Sequence, residues 1–181
     1  SGPGVLKPDM VARMTKAPII FALANPNPEI SPEDARAVAP DAIMATGRSD
    51  FPNQVNNVLC FPFIFRGALD VGATEINDAM KIGCREGIAA LARATTSAEA
   101  AAAYQGEQMT FGVDYLIPKP FDPRLMGVVA SAVAKAAMET GVATKQVDLP
   151  SYKAGLDASV FKSAMLMRPV FEAAAKVARR I

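Results

Sequence analysis

The chain has 181 residues, 51% of them hydrophobic and 20% charged, with 19 basic against 18 acidic side chains for a formal net charge of +1. That length suits one domain with a substantial core, or one domain with an appendage, and the composition excludes a disordered chain. The near-neutral balance supplies no field for nucleic acid or an anionic membrane, and the complete lack of histidine removes the commonest general base and metal ligand.

No stretch reaches the roughly 18 consecutive apolar residues of a membrane span, and no basic region followed by an apolar one opens the chain. A soluble, cytoplasmic protein is the expectation. Cys60 and Cys84 sit inside apolar helical patterns and read as buried free thiols. Ser1-Gly-Pro-Gly is a turn-like lead without the G-x-G-x-x-G spacing of a dinucleotide loop. Lys7 to Met14 reads as a short helix, with Pro8 and Asp9 suited to its first turn.

Pro18 to Ala24 is a strand, broken by Asn25-Pro-Asn-Pro. Ser31 then offers an N-cap, Pro32 a first helical position and Asp34 an acidic third, which predicts a helix to about Ala39. Asp41 to Thr46 is a second short strand, and the two strands with their helix make half of a doubly wound unit. A polar loop from Gly47 to Asn57 follows. Both strands therefore end in polar loops, the arrangement in which open α/β sheets hold ligands at the carboxyl ends of buried parallel strands.

Val58 to Val71 is apolar almost all round, which predicts a helix covered on most sides, with Pro62 interrupting a backbone hydrogen bond or bending it. Thr74 to Asn77 opens another helix, on which Met80, Cys84, Ile88 and Leu91 share one face. Ser97 to Tyr104 reads as an alanine-rich helix, and Phe111 to Pro120 as an extended segment that two prolines confine to an edge or loop. Asp122 and Pro123 open a helix that runs to about Thr140 and stops at Gly141. Beyond it lies a polar joint, ATKQVDLPSYKAGL, and then an arm from Val160 to Arg180 with an apolar stripe and a basic side, divided by Pro169. The whole reads as α/β, a partial Rossmann-like doubly wound parallel sheet with a helical C-terminal extension.

Three stretches, ALANPNPE, ATGRSDFPNQVNNVLCFPFIFRGALDVGATEINDAMK and IPKPFDPRL, together resemble the nicotinamide-cofactor domain of bacterial malic enzymes from about Val5 to Thr144. The resemblance divides the chain into 1–144, the second half of a Rossmann domain that binds NAD(P), and 145–181, a C-terminal arm or interdomain linker. The tail SYKAGLDASVFKSAMLMRPVFEAAAKVARR is similar to the joint of the long bacterial hybrids in which a phosphotransacetylase-like domain follows.

The resemblance implies oxidative decarboxylation of L-malate to pyruvate and CO2 with reduction of NADP, or of NAD, in a homo-oligomeric enzyme, a homodimer, that requires Mg²⁺ or Mn²⁺. It places Asn25 and Asn56 at the cofactor and Asn57 at the malate carboxylate. An amide suits that place, because it donates to a carboxylate or accepts from a hydroxyl without setting a like charge beside malate. Local roles stay open beside these: Asn25 as a turn cap before Pro26, and Asn56 with Asn57 as N-caps of the apolar helix. Arg48 could meet a cofactor phosphate or pair with Asp50.

The family's catalytic tyrosine and lysine, its acidic metal ligands and its glycine-rich loop lie upstream of the matching region. Tyr104, Tyr115 and Tyr152 stand in other contexts, and Lys119 has no acidic cluster in its sequence neighbourhood. The expectation is a fragment lacking the N-terminal malic domain and inactive alone. Another Rossmann dehydrogenase, such as an amino-acid dehydrogenase, and a helical oligomerisation or regulatory module are the rival readings.

Overall fold

The computed structural model describes residues 1–95, 109–160 and 162. Two compact units emerge, one within Ser1–Phe61 and Ile88–Asp122, the other within Pro62–Gly87 and Pro123–Ile181.

The first unit is built on a β-α-β crossover. Strand β1 (Ile19–Ala22) and strand β2 (Ile43–Thr46) pair in parallel, with Ile20 opposite Met44 and Ala22 opposite Thr46. Helix α1 (Pro8–Val11) precedes β1, and helix α2 (Pro32–Val38) links the strands. As the sequence predicts, Pro32 stands in the first turn of α2 and the Ser31 hydroxyl accepts the Asp34 N–H at 3.0 Å. Val11, Ile20, Ala22, Ile30, Ala35, Ala42 and Met44 form the buried core.

β1 is shorter than its apolar run, because the Ala24 N–H turns to the Glu29 carboxylate at 2.9 Å instead of extending the ladder. Nor is it buried on both faces. Ile20 and Ala22 point into the core, while Ile19, Phe21 and Leu23 are 65%, 61% and 44% exposed. Successive side chains alternate across a strand, and the described residues cover one side only.

The apolar run after the second loop also departs from expectation. A 3-10 turn, Asn57–Leu59, comes first, and helix α3 (Phe61–Asp70) begins after it. Pro62 therefore falls in the first helical turn, where no intrahelical N–H is needed, and removes no bond. Ile64, Gly67 and Ala68 are buried, but Phe61, Phe65 and Leu69, spaced four apart, are exposed, so α3 is covered along one stripe only.

Helix α4 (Asp78–Arg93) starts four residues after Thr74, because Asn77 is its cap and accepts the Met80 N–H at 3.1 Å. Of the four residues the spacing puts on one face, Met80, Cys84 and Leu91 are buried and Ile88 is half-buried. Cys60, half-buried, and Cys84, buried, form no disulfide. Helix α5 (Arg124–Glu139) buries Leu125, Val129, Val133 and Ala137, and the chain turns at Gly141 with φ 75°. That left-handed conformation suits glycine and explains the stop. Gly67 lets α3 approach α5, since a Cβ there would lie 2.5 Å from the Ala130 carbonyl oxygen.

A further helix over residues 149–160 begins inside the expected polar joint. Asp148 caps it by accepting the Ser151 N–H at 3.0 Å, Tyr152 donates its hydroxyl to Asp70 at 2.7 Å, and Leu156 is buried. The expected helix at Ser97 to Tyr104 and nearly all of the arm from Val160 to Arg180 lie outside the described residues.

Candidate functional site

Two loops leave the carboxyl edge of the β1–β2 pair. The first runs from Leu23 through Asn25 and Pro26, joined by a cis peptide bond, to Ile30. Its base is fastened by Glu29, whose carboxylate takes the Ser1 hydroxyl as well as the Ala24 N–H. Those two hydrogen bonds, Ser1 first, hold the Glu29 carboxyl below its ordinary range. Asn25 is exposed, and its side chain makes no hydrogen bond to the described residues.

The second loop leaves β2 at Thr46 and returns to it. The Val55 N–H donates to the Thr46 carbonyl at 2.7 Å, Thr46 and Gln54 form an isolated parallel bridge, and the Gln54 amide donates to the Gly47 carbonyl at 3.3 Å. The Thr46 hydroxyl oxygen, in a fully buried residue, accepts the Arg48 N–H at 3.2 Å.

At the turn stands Asn53, buried, with φ 54°. Its amide donates to the carbonyls of Met44 at 2.9 Å and Val113 at 2.7 Å, and its oxygen accepts the Leu116 N–H at 2.7 Å. A buried asparagine with its hydrogen-bonding groups met in this way fixes a loop; left unmet, it would destabilise one. In the sequence Asn53 is one polar residue of the loop among several. The one local signal for it is an asparagine after proline, a residue type that tolerates the left-handed region.

Because the loop closes on Thr46, Asn56 and Asn57 emerge beside the end of β2. Both are exposed. Asn56 caps the 3-10 turn, its oxygen accepting the Val58 N–H at 3.0 Å, which leaves its amide nitrogen for another acceptor. Asn57, the first residue of that turn, makes no side-chain hydrogen bond to the described residues. The capping alternative therefore holds for Asn56 and not for Asn57.

Arg48 ties the two loops together. Its Nε and Nη2 reach the two carboxylate oxygens of Asp50 at 2.8 and 2.6 Å, its Nη1 donates to the Pro26 carbonyl at 3.3 Å, and its guanidinium lies 5.4 Å from the centre of the Phe51 ring. The Asp50 hydrogen bond raises the Arg48 pKa, and the Arg48 donors lower that of Asp50. Of the two roles the sequence leaves to Arg48, the structure displays the pairing with Asp50.

A recess of about 490 Å³ opens beside these loops, lined by Lys7, Asn27, Glu29, Ser31, Arg48 and Phe51 among others. A larger one, about 590 Å³, lies between residues 49–52 and 110–115. Asn25, Asn56 and Asn57 line neither recess, so it is the strand-end position and not a cavity that marks the site. The open donors and acceptors are neutral amides. They fit the ribose hydroxyls and carboxamide of a nicotinamide cofactor better than its phosphates, since Arg48 is already held by Asp50. A divalent metal finds no such fit. Among the described residues, no three His, Cys, Asp or Glu side chains come together as a metal-holding group. No helix of those residues is long and apolar enough to cross a membrane.

Residues 3–104 match the family model for the malic enzyme NAD-binding domain. Across its whole length the chain is 57% identical to the NADP-dependent malic enzyme of Escherichia coli (strain K12), of which it covers 24%. It is 59% identical, over 99% of its length, to the NAD-dependent malic enzyme of Rhizobium meliloti (strain 1021), of which it covers 23%. Among solved structures, malic enzyme from Pyrococcus horikoshii Ot3 is similar over 98% of this chain and 37% of that one, with a TM-score of 0.77 at 37% identity. The chain thus spans about a quarter of the length of these curated relatives, and its parallel strands and helices are those of a Rossmann-like α/β fold. With over half of its residues matched to the family model, and a 37%-identical solved structure alike over nearly all of it, the chain belongs to the malic enzyme family and carries part of its NAD-binding domain.

Proposed function

We propose that this chain works within a longer enzyme that oxidatively decarboxylates L-malate to pyruvate and CO2, with NADP as the preferred electron acceptor and NAD as the alternative. The observation that carries this reading is the pair of strand-end loops. They leave one edge of a parallel sheet, are joined through Arg48, and present Asn25 and Asn57 with no hydrogen bond to the described residues. Open polar groups at that edge are where an α/β sheet meets its ligand.

A bound nicotinamide supplies the acceptor for the hydride leaving the carbinol carbon of malate. The chain's own part is to bind and orient. Asn25 and the free amide nitrogen of Asn56 hydrogen-bond the cofactor, and Asn57 donates to a malate carboxylate. The metal ligands and the proton-transferring groups come from outside the described residues.

The relatives' greater length supports further parts outside this chain. In this reading they are an N-terminal malic domain and, after this chain, a phosphotransacetylase-like domain. In this reading the complete protein is a cytoplasmic homodimer dependent on Mg²⁺ or Mn²⁺. The test is L-malate oxidation by the complete protein with Mn²⁺, followed as reduced nicotinamide formed together with pyruvate and CO2. Malate-dependent reduction of neither NADP nor NAD would overturn the proposal.

A further inference from the structure

We propose that Arg48 is a positioning residue: it clamps the Asn25 turn to the Asn57 loop, so that the groups meeting cofactor and substrate keep one fixed geometry. The inference rests on the reading of Asn25 and Asn57 given above.

The geometry of the guanidinium carries it. Arg48 spends Nε and Nη2 on both oxygens of Asp50, in the second loop, and Nη1 on the Pro26 carbonyl, in the first. Its plane lies by Phe51, also in the second loop. Pro26 has no N–H, so its carbonyl is the one backbone hydrogen-bonding group at that residue, and it lies one residue from Asn25. A shift of that carbonyl carries Asn25 with it.

On the other side the clamp is anchored firmly. The Arg48 N–H is held by the buried Thr46 hydroxyl, Asn53 pins the turn beyond Asp50 to β2 and to Val113, and Val55 is bonded to Thr46 just before Asn56. The second loop is thus fixed to the sheet at both ends. Between the loops, this arginine supplies the side-chain bridge.

A direct contact with a cofactor phosphate makes a different demand. It is made by the guanidinium itself, is not weakened by loss of the Asp50 charge, and does not depend on Asn25; the clamp needs a planar group that reaches two oxygens on one side and a carbonyl on the other, and acts through Asn25. The two roles separate by substitution. A displacement of about 1 Å at a positioning contact costs up to roughly hundredfold in rate.

The experiment uses the complete enzyme and measures kcat and KM for NADP and for L-malate, with circular dichroism and thermal unfolding as folding controls. The variants are Arg48→Lys, Asp50→Asn, Asn25→Ala and the double variant Arg48→Lys with Asn25→Ala. Arg48→Lys is expected to raise the NADP KM about tenfold. Asp50→Asn, which keeps the cation and the Pro26 bond, moves it in the same direction by less and covers the case in which Arg48→Lys folds poorly. In the Asn25→Ala background, Arg48→Lys is expected to add less than about threefold, because the residue it positions is gone.

Additive effects in the double variant would overturn the clamp, and so would wild-type KM values for Arg48→Lys, which leave Arg48 no positioning role. Unchanged kinetics in Asn25→Ala alone would instead remove the asparagine reading on which the clamp rests. The two failures are therefore distinguishable.

Discussion

Asn53 donates its side-chain amide to the Val113 carbonyl at 2.7 Å, joining two loops 60 positions apart in the sequence. The same side chain bonds Met44 in β2 and the Leu116 N–H. Removing it leaves two carbonyls and one N–H without partners, where a net hydrogen bond contributes about 0.5–1.5 kcal/mol and an unmet buried group costs more. Asn53→Ala should therefore destabilise the protein by roughly 2–4 kcal/mol in urea unfolding. Asn53→Gly tolerates the φ of 54° and isolates the hydrogen bonds. A loss below about 1 kcal/mol in both variants would mean that solvent satisfies those groups as well as Asn53 does.

The features legible in the sequence are those whose cause is local. Ser31 with Pro32, Pro8, and Gly141 each carry a conformational preference within one turn of chain, and the structure uses all of them as expected. That polar loops follow two strands, before Asn25 and after Thr46, is legible because short apolar runs stop there. What failed depended on other parts of the molecule. The exposure of Phe21, Phe65 and Leu69 depends on what covers an apolar face, which composition does not report. The start of the last helix at 149 turned on Asp148, and the start of α4 on Asn77, each a capping choice among several polar residues. Asn53 was invisible because its partners lie nine and about sixty positions away, and Arg48 stayed between two roles because distance to Asp50 is a property of the folded loop.

Asn57→Ala in the complete enzyme should act mainly on malate. A hydrogen bond to a charged group is worth roughly 1.5–3 kcal/mol, so kcat/KM for L-malate is expected to fall about ten- to hundredfold while the NADP KM changes little. Isothermal titration with the cofactor alone separates binding from turnover. Malate kinetics equal to wild type would take Asn57 out of the substrate role.

NADP and NAD should be compared in parallel initial rates. This chain is 57% identical to an NADP-dependent relative and 59% identical to an NAD-dependent one, so overall identity does not decide between them. The two cofactors differ by a ribose 2′-phosphate, whose recognition usually involves the end of the second Rossmann strand, away from the loops described above. The proposal gives NADP the higher kcat/KM. A much higher value with NAD would reverse that choice without touching the assignment of Asn25, Asn56 and Asn57. A polypeptide of residues 1–181 alone, verified by mass, should reduce neither cofactor with malate and Mn²⁺.

The Arg48–Asp50 pair has a pH signature whose sign is fixed. Hydrogen bonding from Arg48 lowers the Asp50 pKa, so its stabilising effect is present above the ordinary carboxylate value of 3.8 and is lost as pH falls through the lowered one. Both side chains are partly exposed, which keeps the effect small and sensitive to salt. The Tm of wild type should exceed that of Asp50→Asn near neutral pH, and the gap should close on acidification below the ordinary value. A gap that persists in strong acid would assign the difference to packing.

The helix over 149–160 is held by a second charged cluster, at the other unit's α3. Asp70 accepts the Tyr152 hydroxyl at 2.7 Å and the Arg66 Nε at 2.6 Å on the same oxygen. Burial first, and then the bond to Asp70, push the Tyr152 pKa well above its usual value of 10.0. A raised pKa places this contribution at neutral pH, with loss as the solution rises past the ordinary tyrosine value toward the higher one. Tyr152→Phe keeps the ring and removes a donor to a carboxylate, so it should cost about 1.5–3 kcal/mol and speed amide exchange along 152–160. The difference from wild type should shrink above pH ~10, where the unfolded tyrosine ionises. Exchange at those amides unchanged by Tyr152→Phe would leave the buried Leu156, and not the hydroxyl, as what holds the helix in place.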